Sequence, residues 1–218
     1  MKLTRPALCL ALVASVTAAG AAGAATKPKV KPVCNLVVDP AGDASFQSPM
    51  PSDDAQDIIG ADVASDAKNF TAVLRLKSVS SNGLGQLGRD LQMTFDLAGA
   101  EAKVWIGYTT SAYGGDAFQY GLIGKGDAGS TSPTGKAVGV IDKTKNEIRM
   151  TVSVADLNAL GKVKPGAKVA NIAVEASQLV GIAPNASGAY AFNPVVVDDA
   201  AGTKAYIAGA PSCVKPGA

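Results

Sequence analysis

The 218-residue sequence contains no histidine. That absence excludes Ser-His-Asp and Cys-His catalysis. It also removes the usual ligand of zinc and copper sites. Cysteine is scarce, with three in all, and there is one tryptophan. Glutamate is scarce too: only Glu101, Glu147 and Glu175 occur. There is no charge excess. The whole chain has 20 basic and 18 acidic residues, and setting aside Lys2 and Arg5 at the start leaves 18 against 18. A basic face, which nucleic-acid binding needs, is not expected. No apolar run reaches the length of a membrane-spanning helix.

The first 25 residues, "MKLTRPALCLALVASVTAAGAAGAA", have a basic start, an apolar run from Ala7 to Val16, and small residues with A-x-A at Ala22 and Ala24. This is the pattern of a secretory signal peptide, cleaved near Ala24 or Ala25, of a bacterial kind. Cys9 precedes most of the apolar run, which speaks against lipidation. Residues 26–32, "TKPKVKP", read as a flexible leader. Residues 33–214 read as a single domain, long enough for a proper core. The chain is thus expected outside the cell. There, Cys34 and Cys213 are expected to form one disulfide rather than two free thiols. Such a bridge implies that the first and last strands are neighbours.

Short strands recur between glycine-rich turns. In "NFTAVLRLK", Phe70, Ala72, Leu74 and Leu76 face one way, and Thr71, Val73, Arg75 and Lys77 the other. "DLQMTFDL" repeats the pattern with Leu91, Met93, Phe95 and Leu97. "KAVGVID", "KTKN" and "EIRMTVSV" read as a hairpin, "GDAGSTSPTG" as a loop, and "ADLNALG" as the one helical turn. Nine to eleven such strands predict an all-β fold, an antiparallel jelly-roll-like sandwich with one short helical turn and its ends joined by the disulfide.

The order "DPAGDAS", "DIIGADVASDAKNFTAVLRLK", "LQMTFDL…VWIGY" and "IRMTVSVADLNAL…KPGAKVANIAVEAS" resembles the family 9 carbohydrate-binding-module and DOMON-like superfamily of extracellular β-sandwiches. The resemblance spans most of residues 34–213. It implies a jelly-roll-like sandwich, structural calcium in some members, and a role in binding sugars or haem. Haem in the DOMON branch is held by methionine and histidine. With no histidine, and with Met50, Met93 and Met150 showing no pairing pattern, haem is not expected here.

Two clusters carry candidate chemistry. Between Val33 and Asp66 stand seven aspartates with no lysine or arginine among them. Like charges at such density repel. A hard cation such as calcium would relieve this, since calcium takes six to eight oxygens from loops. Asp39, Asp43 and Asp57 are the candidate ligands, with Asp53 and Asp54 in reserve. Asp198 and Asp199 are further candidates whose position the sequence leaves open. The competing reading is a set of solvated turn residues bonding their own backbone.

The second cluster, "WIGYTTSAYGGDAFQY", holds Trp105, Tyr108, Tyr113, Phe118 and Tyr120, five of the chain's eleven aromatics. Sugars stack on such rings. Trp105, Tyr108, Tyr113 and Tyr120, with Asp116 and Gln119 as hydrogen-bonding partners, are therefore the candidate ligand-binding residues. The competing reading is cross-strand packing. No nucleophile motif accompanies the three glutamates, so no enzyme is expected. The sequons at Asn69 and Asn185 read as chance matches.

Together these readings predict a secreted, non-catalytic binding module for extracellular carbohydrate or a cell-surface partner, with calcium as the one cofactor the residues suit. The alternative is a structural or protein-interaction module of the bacterial exterior with no small ligand. Exposed aromatics on one face favour the first reading; buried aromatics favour the second.

Overall fold

A computed structural model of the chain describes residues 30–45, 53–81, 87–111, 115–124, 131–182 and 191–217. The segment assigned to a signal peptide lies outside these residues, as does Tyr113. Two antiparallel sheets form a sandwich. One sheet contains β1 (Val37–Val38), β2 (Ile58–Ser65), β3 (Asn69–Leu76), β8 (Val138–Asp142) and β9 (Glu147–Ser153), in the order β1-β2-β3-β9-β8. The other contains β4 (Gly88–Leu97), β5 (Val104–Ser111), β6 (Gly115–Ile123), β7 (Thr131–Lys136), β10 (Lys168–Ile182) and β11 (Ala191–Ala201), in the order β11-β10-β4-β5-β6-β7. The short β12 (Tyr206–Ile207) pairs with β10. No helix among the described residues is long and apolar enough to cross a membrane.

The two-residue alternation sets the inner faces. Phe70, Ala72, Leu74 and Leu76 of β3 meet Leu91, Met93, Phe95 and Leu97 of β4 in one buried core. Phe70 and Phe95 pack ring against ring across the sheets, with centroids 5.1 Å apart. The "KTKN" turn joins β8 to β9 as the sequence implies. The helical turn is α1 (Val154–Leu160), capped by Ser153, whose hydroxyl accepts the Asp156 N–H and which buries Val154 and Leu157.

Two expectations change. The predicted loop "GDAGSTSPTG" overlaps β7, an edge strand that pairs with β6. Pro133 is tolerated there because an edge strand need not donate on its open side. The first and last strands are not direct neighbours: β1 and β12 belong to different sheets. The segments just outside them meet instead. Val33 bridges Ser212, and Cys34 is bonded to Cys213 with their Cα atoms 5.2 Å apart.

Beyond the bridge, the C-terminal residues strap the outer face of the five-stranded sheet. Val214 packs on Ala64 and Val73. The Gly217 N–H donates to Thr71 Oγ1, and Arg149 donates to the Lys215 carbonyl. The outer face of β2 and β3 is therefore buried as well. Beneath the strap, Asp62 is fully buried, accepts the Leu36 N–H and pairs with Arg75 at 2.8 Å.

Gly202 closes the same end. A β-carbon there would sit 2.2 Å from the Leu36 carbonyl oxygen, and its N–H donates to Ile172. Backbone stands on both sides, so no side chain can swing away. Gly202→Ala is expected to cost about 3 kcal/mol, the upper part of the usual overpacking range. A urea titration should show a lower midpoint at unchanged slope.

Candidate functional site

The acidic segment is drawn together by three pieces of chain. Asp39 directly follows β1. The turn Asp39-Pro-Ala-Gly-Asp43 reverses at Gly42, which takes a φ of +92° that favours glycine. The Gly42 N–H donates to Asp57 Oδ2 at 2.7 Å, just before β2. The Ser45 N–H then donates to the Val197 carbonyl at 2.7 Å, which seats the loop on the open edge of β11. The neighbour of Val197 is Asp198, whose Oδ2 accepts the Ile58 N–H at 2.6 Å. As a result, one carboxylate oxygen from each of Asp39, Asp43 and Asp198 lies within 4.8 Å of the others.

The electrostatics are unfavourable as they stand. Asp39 Oδ2 and Asp57 Oδ1 are buried with no hydrogen-bond partner. Asp57 is only 2 % exposed. Among the described residues, Lys77 is the one cation ion-paired to these carboxylates, 3.7 Å from Asp57 Oδ2. Burial and the charges of Asp39, Asp43 and Asp57 push Asp198 up to about 7, against the pull of the Ile58 N–H. Asp39 is also raised, first by burial and then by Asp43, with its hydrogen bond to Asp198 opposing. Such a group accepts either a proton or a metal ion.

Of the expected ligands, the structure brings Asp39 and Asp43 together. Asp57 stands beside them, with one oxygen committed to holding the loop. Asp198 completes the trio. The reserve residues lie apart: Asp53 accepts the Ala55 N–H, and Asp54 pairs with Lys77 at 2.8 Å. Asp62 lies within β2, held by Arg75 and the Leu36 N–H. A cleft of about 270 Å³ opens on the Asp43 and Asp198 side of the trio, lined by these two with Ser45, Val196, Val197 and Asp199. A larger cleft, about 570 Å³, lies under the C-terminal strap. Its Arg75 and Arg149 are already held by Asp62, Glu147 and a tail carbonyl.

The aromatic cluster is packed rather than displayed. Trp105, Tyr108 and Tyr120 are 3 %, 2 % and 7 % exposed. Tyr108 and Tyr120 point into the core, and Phe118 stacks on Tyr108 with centroids 4.7 Å apart. Trp105 faces the other side of its sheet and lies along Gly107, where a β-carbon would be 3.2 Å from the indole. Burial raises the pKa of the Tyr108 phenol, and the exposed Asp116, which accepts its hydroxyl, adds to the rise. Gln119 is half-buried on the outer side of β6. Buried ring faces cannot stack on a sugar, so the described part of this cluster fits cross-strand packing.

A feature the sequence did not suggest lies on the outer face of the seven-stranded sheet. Asp90, hydrogen-bonded by Gln92 and Thr109, is raised by burial and by the charge of Glu175. Glu175 itself accepts the Ser177 hydroxyl. These two acids share one side of a sheet and do not face each other across a cleft.

No protein-family model matches the sequence, and no curated protein is significantly similar to it.

Proposed function

We propose that this chain is a secreted, non-catalytic β-sandwich module whose β1–β2 loop is clamped to β11 by a calcium ion held by Asp39, Asp43 and Asp198, with Asp57 beside them. One observation carries the reading: the cluster contains buried carboxylate oxygens, on Asp39 and Asp57, with no donor to satisfy them. A buried carboxylate oxygen left without a partner is costly, and an ion among the carboxylates removes the cost. The donor set is all oxygen, which suits a hard cation. Two segments distant in the chain, the Asp39–Asp43 turn and β11, supply it, which suits the flexible geometry of calcium better than the strict octahedron of magnesium.

The burial of Trp105, Tyr108 and Tyr120 favours a structural or interaction module over a sugar platform at this cluster. Adding a broad polysaccharide panel should leave the Trp105 fluorescence unchanged. A sugar-dependent shift would restore the aromatic site.

The test of the ion is a thermal melt in excess EDTA and then in millimolar calcium. A ligand at a hundred times its dissociation constant stabilises the folded state by about 2.7 kcal/mol. For a domain of this size that is a rise of about 5–10 °C. Asp39→Ala with Asp43→Ala should abolish the rise. Coincident melts of the unaltered chain would overturn the proposal.

A further inference from the structure

We infer that Cys213 is a thiol-exchange site: a small anionic thiol attacks it from the cleft under the C-terminal strap, opens the Cys34–Cys213 bridge and frees the strap. The two cysteines are not equivalent. Cys213 is exposed and lines the cleft of about 570 Å³, whereas Cys34 is half-buried and is not in that lining.

The lining selects the charge of the thiol. Arg75, Lys145, Arg149 and Lys215 stand at the opening against one carboxylate, Glu147. Adding Asp62, which pairs with Arg75, and Asp142, which pairs with Lys145, still leaves a positive excess. The exposed Lys215 is in none of the ion pairs of the described residues. Such surroundings gather anions and stabilise an incoming thiolate.

The exchange runs in two steps. The attacking thiol gives its proton to water, and its thiolate bonds to Cys213 Sγ as the Cys34–Cys213 bond breaks. Cys34 leaves as a thiolate and takes a proton from solvent. A second small thiolate then attacks the mixed disulfide at the first small thiol's sulfur and releases Cys213. In all, two small thiols are oxidised to their disulfide and the bridge is reduced to two thiols. The Lys204 ammonium, held at the Cys34 and Asn35 carbonyls at 3.3 Å from each, favours the departing negative charge. The Pro32 carbonyl, 3.7 Å from Cys34 Sγ, accepts the S–H that follows.

The bridge decides whether the strap stays down. Residues 212–217 bury one apolar side chain, Val214, and hold the sheet through the Ser212 hydroxyl, the Gly217 N–H and two tail carbonyls. The freedom lost in ordering these residues is similar in size to what those contacts return. The strands beneath are paired with one another from Ile58 to Ser153 and keep their own ladder without the strap.

The experiment mixes the purified, oxidised chain, without denaturant, with glutathione (anionic), 2-mercaptoethanol (neutral) or cysteamine (cationic) at equal thiolate concentration. Adducts are trapped with acid and mapped by mass spectrometry. Each rate is divided by that thiol's rate with a small neutral disulfide, which removes differences in intrinsic nucleophilicity. Glutathione is expected on Cys213 and not on Cys34, with a normalised rate about tenfold above that of cysteamine, the low end of electrostatic focusing. Molar salt, where the screening length falls to about 3 Å, should remove the preference. Lys145→Gln with Lys215→Gln should remove it at low salt. Hydrogen exchange of the reduced chain should quicken in residues 212–217 while β4 and β10 stay protected. An adduct on Cys34, equal normalised rates for the three thiols, exchange only in denaturant, or reduction that exposes β4 and β10 together with the strap would each overturn the inference.

Discussion

Removing the disulfide should lower the melting temperature by about 10–20 °C. Cys34 and Cys213 are 179 residues apart in sequence. Closing a loop of that length removes enough unfolded-state entropy to stabilise the folded chain by about 5 kcal/mol, a ceiling for the effect. A domain of this size shifts by about 2–4 °C per kcal/mol. The native state would also lose the anchor of its strap. Ser212, Val214 and Gly217 bond and pack on the outer faces of β2 and β3, and they follow or flank Cys213 directly. The measurement is scanning calorimetry of Cys34→Ser/Cys213→Ser beside the unaltered chain, with and without dithiothreitol. A drop of only a degree or two would mean that the strap's other contacts hold it unaided and that loop entropy is not decisive here.

Stability in EDTA should fall as pH rises from about 4 to about 7. The sign follows from proton binding. Asp198 has an ordinary value of 3.8 unfolded and about 7 folded, so the folded chain holds the proton more tightly between those values. Raising the pH through that window removes the proton and leaves a cluster of repelling charges. Asp39 shifts in the same direction. Calcium takes the proton's place, so the stabilisation by calcium should be small at pH 5 and large at pH 8. Asp90 is raised by burial elsewhere on the sheet, but its contribution is the same with and without calcium and drops out of the difference. Asp66 and Asp142 are held low by turn hydrogen bonds; their stabilisation is lost only as pH falls below the window. The check is the calcium-induced shift in melting temperature measured from pH 5 to 8. Asp198→Asn should flatten the EDTA slope. A calcium shift that is level across this range would remove Asp198 from the site.

Much of the scaffold is legible in the residue order. Alternation in residues 69–76 and 88–97 identifies which side chains share a face, because a strand repeats every two residues whatever it pairs with. The turn "KTKN" and the Ser153 cap act within a few residues, so local chemistry decides them. The cysteine pair was readable because only two cysteines, Cys34 and Cys213, follow residue 25.

The site was half legible. Asp39 and Asp43 are close in sequence, and the glycine turn between them announces a reversal. Asp198 reaches them only because the loop docks on the β11 edge through Ser45 and Val197. No local signal carries a contact across more than 150 residues. The aromatics show the other gap. Period two assigns Trp105 and Tyr108 to opposite faces but says nothing of what covers each face. Burial of both sides of a strand depends on what the rest of the chain lays over it, as the C-terminal strap does over β2 and β3. The sequence by itself thus determined most of the strands, their inner faces, the helical turn and the covalent closure, all from local or compositional chemistry. The tertiary structure alone decided which aspartates converge and which aromatics are hidden, because both depend on packing between segments distant in the chain.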